Sequence, residues 1–489
     1  MNQNTPIIAG VAQTQHRIQE LEGFIEPIDL MLRACQLAEA DTNTRLLNQV
    51  QSVRVIRGIW PYQNPARYIA EQIGAQQTQC MGTMFGGNYN QVVVNDSAAA
   101  ITRGELDLVL ITGAEIGYSN SKAGRLNQTI EYRDLPGLYD RVLGQSQQPE
   151  HHDFERTKGI RQAIQVYPMY ENAIRHCRGE SIDQHLKRVS ELWAGFSQVA
   201  SGNPHAWLQD PFSAETIRTA SARNRQISVP YTKLMNSNNA VDMGAALIMC
   251  SVAKARSLGI PESKWVYPYA GVEGNDHFSA SVRDNFYSSP AIRLAGQRLF
   301  ELTQTEPADL DYVDLYSCFP AAVQIAAQEL GLPESSALTV TGGLTFAGGP
   351  LNNYVMHSIA RTVELLRKDP HKKALVTANG GNLYKQAMAI YSGVPPASTF
   401  KRDNVQQQID ALPARTCLPE YQGRVTVESY TVMYDHLQPV IAHLSCLTES
   451  GQRVWANSQD QALMQAMTEQ EFCGSAAKLG VNQDIQILS

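Results

Sequence analysis

Apolar positions along the chain follow two alternating rhythms. Short, nearly unbroken apolar runs at Pro6–Val11, Gln51–Ile56, Leu106–Thr112, Ala245–Cys250, Tyr312–Tyr316 and Lys373–Ala378 have the length of buried strands. Between them lie segments with apolar residues at helical spacing: 27–39, 65–73, 87–103, 289–303, 320–330 and 354–367. Strands apolar throughout, alternating with helices, predict an α/β fold in which a largely parallel sheet is covered on both faces. The order strand, glycine turn, helix, strand occurs early, around Gly86-Gly87-Asn88, and late, around Gly342–Pro350. That recurrence predicts an internal duplication.

Two stretches break the rhythm. Residues 117–229 are rich in Arg, Gln, His, Asn and Tyr, with helical spacing over 160–178 and 182–200. They read as an inserted, mostly helical cap, either facing a ligand or simply solvated. Residues 401–420, dense in Pro, Gln, Asp and Arg, read as a linker. Beyond it Arg424–Val432 alternates at period two, His443–Leu447 and Arg453–Ala456 flank the turn Glu449-Ser450-Gly451, and a helix is expected near 460–470. The expected units are 1–116 and 230–400 as two α/β halves, 117–229 as the cap, 401–420 as the linker and 421–489 as a small β-rich domain.

At 489 residues, 43% hydrophobic and 18% charged, the chain is long enough for two to four domains with a large core. A net charge of −7 without a basic cluster argues against nucleic acid as a partner. The eight cysteines show no CxxC or Cys/His spacing, so neither zinc nor a disulfide framework is expected, and reduced thiols fit a cytoplasmic location. His151-His152-Asp153 lacks a third ligand at useful spacing, and no metal is expected. No secretory signal, membrane span or lipidation motif is expected either.

Several segments, in order, resemble the thiolase superfamily, and within it the sterol-carrier-protein-type, type 1 thiolase-like proteins with an additional C-terminal domain. Gly87 precedes Gly104 by 17 residues, as the thiolase nucleophilic cysteine precedes the glycine closing its helix. Gly113-Ala114-Glu115 stands where the family has a glycine turn with Glu. Asn238 to Ala246 resembles its Asn…Asp-Gly-Ala-Ala segment near the coenzyme A site. Tyr316-Ser317-Cys318-Phe319 is similar to His-Asp-Cys-Phe, and Gly342–Pro350 to the loop ending Gly-His-Pro. The resemblance implies duplicated βαβαβαββ halves stacked as αβαβα layers, with the cap inserted and the β-rich domain appended.

It also implies site roles. Gly87 and Gly349 stand where a thiolase has its nucleophilic cysteine and its Gly-His-Pro histidine, so thiolysis through an acyl-cysteine at 87 is excluded. Backbone N–H groups of Gly87 with Gly380 or Gly381 remain as oxyanion donors, and Gly349 marks the weakened second hole. Cys318 is the retained acid/base candidate, or else a small core residue. Ser317, Asn352 and Asn353 are candidates to hold a water or bind a carbonyl, the asparagines otherwise capping a turn. Asn88, Asn238, Tyr354 and Lys385 are candidate substrate contacts, Lys385 otherwise a solvated charge; His357 reads as structural. Glycine at 87 is expected to open space for a bulky acyl group or a second substrate. The expected ligand is a coenzyme A thioester, with no permanently bound cofactor and with a homodimer or a protein partner possible. The function expected is that of an acyltransferase-type protein, in the manner of acetyl-CoA acetyltransferases. A non-catalytic acyl-CoA-binding protein or complex subunit, and a thioester hydrolase, are the alternatives.

Overall fold

The computed structural model describes residues 2–144, 150–481 and 484–488. The first sheet has six strands. Pro6–Gln15 pairs antiparallel with Asp242–Ser251, which pairs antiparallel with Leu108–Ile116; Ser52–Val55, Gln79–Thr83 and Arg141–Leu143 follow in parallel. The second sheet orders Tyr312–Asp314, Lys373–Gly380, Lys385–Ser392, Tyr267–Asn275 and Lys401–Asn404. Two helices, Tyr89–Thr102 and Tyr354–Lys368, pack against each other and against strands of both sheets. Pro27–Asp41 covers the outer face of the first sheet and Pro290–Thr303 that of the second. The result is the thiolase-like αβαβα stack.

Tyr89–Thr102 is buried over all but its last residue. A helix rich in Val and Ala on every side has no solvent face to offer, so burial between two sheets is the arrangement that satisfies it. Its polar positions meet fixed partners. Asn95 donates to Glu273 at 3.2 Å, and Asp96 takes Arg54 at 2.7 Å and Arg402 at 2.8 Å.

The strand expected to stop at Gly113-Ala114-Glu115 runs on through Ile116, because Asp242–Ser251 pairs with it along its whole length. The stretch read as a linker is structured. Lys401–Asn404 is the last strand of the second sheet, Gln406–Asp410 is helical, and Cys417–Leu418 already belongs to the C-terminal sheet. In that third sheet Gly423–Asp435, Gln438–Thr448 and Arg453–Ser458 form the centre. A short strand of the cap region, Gln226–Ser228, joins it by pairing Ser228 with Met433. The cap contains the long helices Ala163–Arg178 and Ile182–Ser201. No helix among the described residues is long and apolar enough to cross a membrane.

Candidate active site

The N-terminus of the Tyr89–Thr102 helix meets the turn after Lys373–Gly380 beneath the cap. A cavity of about 400 Å³ opens there, lined by Gly86, Gly87, Tyr316, Cys318, Phe319, Asn352, Asn379, Gly380 and Gly381 from the two halves and by Glu150, His151, Arg161 and Tyr167 from the cap. The two turns touch: a Cβ on Gly380 would lie 2.4 Å from Asn88 Oδ1. Neither the Gly87 nor the Gly381 N–H has an acceptor among the described residues.

Gly87 does not open the space expected of it. A Cβ there would lie 2.6 Å from the Asn379 carbonyl oxygen and 2.7 Å from the Tyr316 hydroxyl, because the Tyr316 ring fills the place a side chain at 87 would take. Burial pushes the Tyr316 phenol above its ordinary range.

Cys318 follows the short strand Tyr312–Asp314 and sits on the cavity wall, 8% exposed. Its sulfur lies 3.8 Å from Asn379 Nδ2, which donates to the Tyr167 hydroxyl at 3.0 Å; that hydroxyl donates to the Gly381 carbonyl at 3.3 Å. Tyr167 stacks on Phe319 with ring centres 4.4 Å apart. Burial pushes the Cys318 thiol up to about 12, against the smaller opposing pull of its hydrogen bonds. The side chain is therefore a protonated thiol at neutral pH.

The remaining sequence-derived candidates divide. Asn352 reaches the cavity; its amide donates to the Arg57 carbonyl at 2.7 Å and its own carbonyl accepts from Asn90. Ser317, Asn353, Tyr354, Gly349, Asn88 and Lys385 do not line it. Ser317 is packed against Gly343. Asn353 donates to the Gly113 carbonyl at 2.8 Å, tying its loop to the first sheet. The Tyr354 hydroxyl donates to the buried Asp314 at 3.0 Å and pairs with Thr341 at 2.6 Å, so it anchors the loop from below. Lys385 bonds the Phe85 carbonyl at 3.3 Å and Glu150 at 3.2 Å.

Asn238 faces a neighbouring hollow of about 290 Å³ with Lys122, Arg125 and Lys233, and the next residue, Asn239, is the one on the main cavity. Asn239 also stands beside Gly349, with its Oδ1 3.1 Å from where a Cβ would be. His357 is buried against Gln13 Oε1 at 3.0 Å, and burial lowers its imidazole to about 3. Sequence reasoning missed Tyr316 as a filler and Asn239, and weighed His151 only as a metal ligand. Only His151 had a signal, a histidine four residues before a glutamate.

Residues 404–486 match the family described as the thiolase-like protein type 1 additional C-terminal domain. A monomeric SCP2-thiolase like protein type 1 from Mycobacterium smegmatis aligns over 100% of this chain and 99% of its own, with a TM-score of 0.86 and 29% identity. An acetyl-CoA acetyltransferase of Methanocaldococcus jannaschii is 23% identical over 207 residues, 38% of this chain and 51% of its own. A steroid side-chain-cleaving aldolase of Thermomonospora curvata is 27% identical over 183 residues, 34% of this chain and 46% of its own. The chain thus spans about half the length of the curated relatives it matches. The chain is thus similar to an SCP2-thiolase like protein type 1 along its whole length, and residues 404–486 match the additional C-terminal domain of that type.

Proposed function

We propose that the chain binds acyl thioesters of coenzyme A in the cavity between Gly87 and Cys318, and acts as an acyltransferase-type protein that forms no acyl-cysteine at position 87. The observation that carries this reading is that Gly87 and Gly381, whose N–H groups have no acceptor among the described residues, line one cavity with Cys318. Fixed main-chain donors of this kind stabilise a thioester oxygen as it gains charge, whatever side chain is absent beside them. The protonated Cys318 thiol is placed to donate rather than attack. Asn379 Oδ1, buried without a partner among the described residues, supplies an acceptor for a pantetheine amide. Lys122, Arg125 and Lys233 line the adjoining hollow with no carboxylate among its lining residues, which suits the phosphates of the same ligand.

A non-catalytic acyl-CoA-binding role is the second reading, favoured by the Tyr316 hydroxyl and Asn379 carbonyl occupying the nucleophile's place. Arg141–Leu143 covers the sheet edge at Gln79–Thr83, and the similar M. smegmatis protein is described as monomeric; both favour a monomer over a homodimer, which light scattering decides. Free thiols at all eight cysteines suit the cytoplasm.

Calorimetry with acetyl-CoA and longer acyl-CoA thioesters tests the pocket, and mass analysis of mixtures with candidate acceptors tests turnover. Product lost in Cys318→Ala supports the acyltransferase reading. Binding without product under every acceptor supports the second reading. No binding by any thioester removes both.

A further inference from the structure

The cavity wall carries a histidine that no thiolase-like motif in the chain accounts for, and the histidine is held by a buried carboxylate. His151 Nδ1 lies 3.2 Å from Oε2 of Glu155, four residues onward in the short helix Asp153–Arg156. Glu155 is fully buried, and its Oε1 accepts the Ser281 N–H at 2.9 Å and the Ser281 hydroxyl at 2.8 Å. Trp455 Nε1 in turn donates to that hydroxyl at 2.9 Å. A cap segment, the second α/β half and the C-terminal domain therefore all contribute to fixing one carboxylate. Burial alone would raise the Glu155 carboxyl, but the hydrogen bonds from His151, Ser281 and Ser279 outweigh it and leave it below its usual range. An ionised carboxylate facing Nδ1 holds the proton on that nitrogen and presents Nε2 as the basic atom.

The Asn382 amide nitrogen donates to the Glu150 carbonyl at 3.4 Å and lies 3.3 Å from Nδ1. Nε2 has no partner among the described residues, while the ring lines the same cavity as Gly87, Gly381 and Cys318. The other charged groups at this wall are Arg161 and Glu150, the latter paired from behind with Lys385.

We propose that His151 is the general base of this cavity, with Glu155 as its positioning residue, acting on a hydroxyl acceptor, water or an alcohol. This rests on the acyl-CoA reading of the pocket. As the acceptor oxygen bonds to the thioester carbonyl carbon, its proton passes to Nε2. As the carbon–sulfur bond breaks, that proton passes to the departing thiolate. An acceptor R′OH and an acyl-CoA thus give the acyl ester or acid and free coenzyme A, with no acyl group on the protein. A base of this kind is compatible with glycine at 87, because direct attack needs no sulfur there.

The test uses the full chain and two substrates. Free coenzyme A is followed from butyryl-CoA in water and in added ethanol, and p-nitrophenol is followed from p-nitrophenyl acetate, which needs no coenzyme A recognition. His151→Gln is expected to lower kcat on both by about 10²–10⁴-fold with butyryl-CoA affinity kept. Glu155→Gln is expected to lower kcat with KM unchanged, circular dichroism confirming the fold. Wild-type rates retained in His151→Gln, or a folded wild type inert to both substrates, overturn the assignment even if acyl-CoA binds. His151-dependent release of p-nitrophenol without any acyl-CoA binding upholds the base and overturns the pocket's ligand.

Discussion

Placing alanine at position 87 tests how the missing side chain is accounted for. The backbone at Gly87 is not left-handed, so alanine alone stabilises by about 0.4–1 kcal/mol through the unfolded chain. Against this stand contacts of 2.6 Å to the Asn379 carbonyl and 2.7 Å to the Tyr316 hydroxyl. The carbonyl belongs to the buried strand Lys373–Gly380, whose Asn379 is paired with Gln386 of the neighbouring strand, and cannot retreat cheaply. The Tyr316 ring is braced edge-on by Tyr354 at 5.6 Å. Overpacking of this kind costs about 1–3 kcal/mol, leaving a net loss of up to roughly 2.6 kcal/mol, about 1.3 kcal/mol at the midpoint. At about 2 °C per kcal/mol, differential scanning calorimetry should show a drop of about 3 °C, and at most roughly 5 °C. Tyr316→Phe removes the 2.7 Å contact but not the carbonyl, so the double variant should recover about half the loss, a coupling of roughly 0.5–1 kcal/mol. Gly87→Cys should take no acyl group from acetyl-CoA by intact mass. Wild-type or higher Tm in Gly87→Ala, zero coupling, or an acyl adduct at 87 refutes the reasoning.

Lys122→Glu with Arg125→Glu should weaken coenzyme A thioesters by about tenfold or more in calorimetry, with the difference shrinking as salt rises. Iodoacetamide at pH 8 should label the exposed Cys177 first, because burial leaves only about one Cys318 in 10⁴ as thiolate; peptide mapping that finds both labelled at similar rates contradicts this. Glu115 is buried and its carboxyl is pushed up to about 8 by desolvation, which its bond from the Ile59 N–H only partly offsets. Its folded value lies above the unfolded one, so its contribution is whole below about pH 4 and is lost as pH rises toward about 8. Glu115→Gln should therefore gain stability over wild type as pH rises in denaturant titrations, and a pH-independent difference refutes that. Arg175→Ala should lower Tm measurably, since a charge-assisted hydrogen bond to Glu471 worth about 1.5–3 kcal/mol is lost; an unchanged melting curve counts against it.

The apolar runs announced their strands because both faces are covered, which leaves hydrophobicity with no polar interruption to hide it. Lys385–Ser392 escaped notice despite its apolar run, and two other strands that did so lack one. Tyr267–Asn275 contains Pro268, Gly271, Glu273 and Gly274. Gly271 is there because Asn95 packs where its side chain would be, and Glu273 because Asn95 and Arg402 bond it. Lys401–Asn404 is a polar edge strand whose Arg402 supplies that partner. Local pattern reports burial by apolar contact and is silent about burial by ion pairing. In the site, glycine turns and the Tyr-Ser-Cys-Phe segment were legible as motifs. Which of the adjacent Asn238 and Asn239 faces the cavity was not, because two neighbours of the same type carry no local signal that tells them apart. The filling of position 87 by Tyr316 joins residues more than two hundred apart, and no local signal carries it.

The same geometry gives the appended domain a part in the site without contact at Gly87. The cap helix Ala163–Arg178 has two working faces. On one, Tyr167 and Tyr170 donate to the carbonyls of Gly381 and Asn382, fixing the turn that carries a proposed oxyanion donor. On the other, Asn172 donates to the Tyr430 carbonyl at 2.8 Å, the Met169 carbonyl accepts from Ser429 at 2.6 Å, and Arg175 reaches Glu471 at 2.8 Å. These partners all lie in the C-terminal domain. A helix fixed on one face by several hydrogen bonds holds the opposite face in register, since its side chains share one rigid backbone. Trp455, through Ser281, reaches Glu155 and so His151 from a second direction. The domain thus bears on both walls of the cavity through one intermediary each, the helix on one side and a serine on the other, which is a physical reason for the appended domain to accompany this pocket.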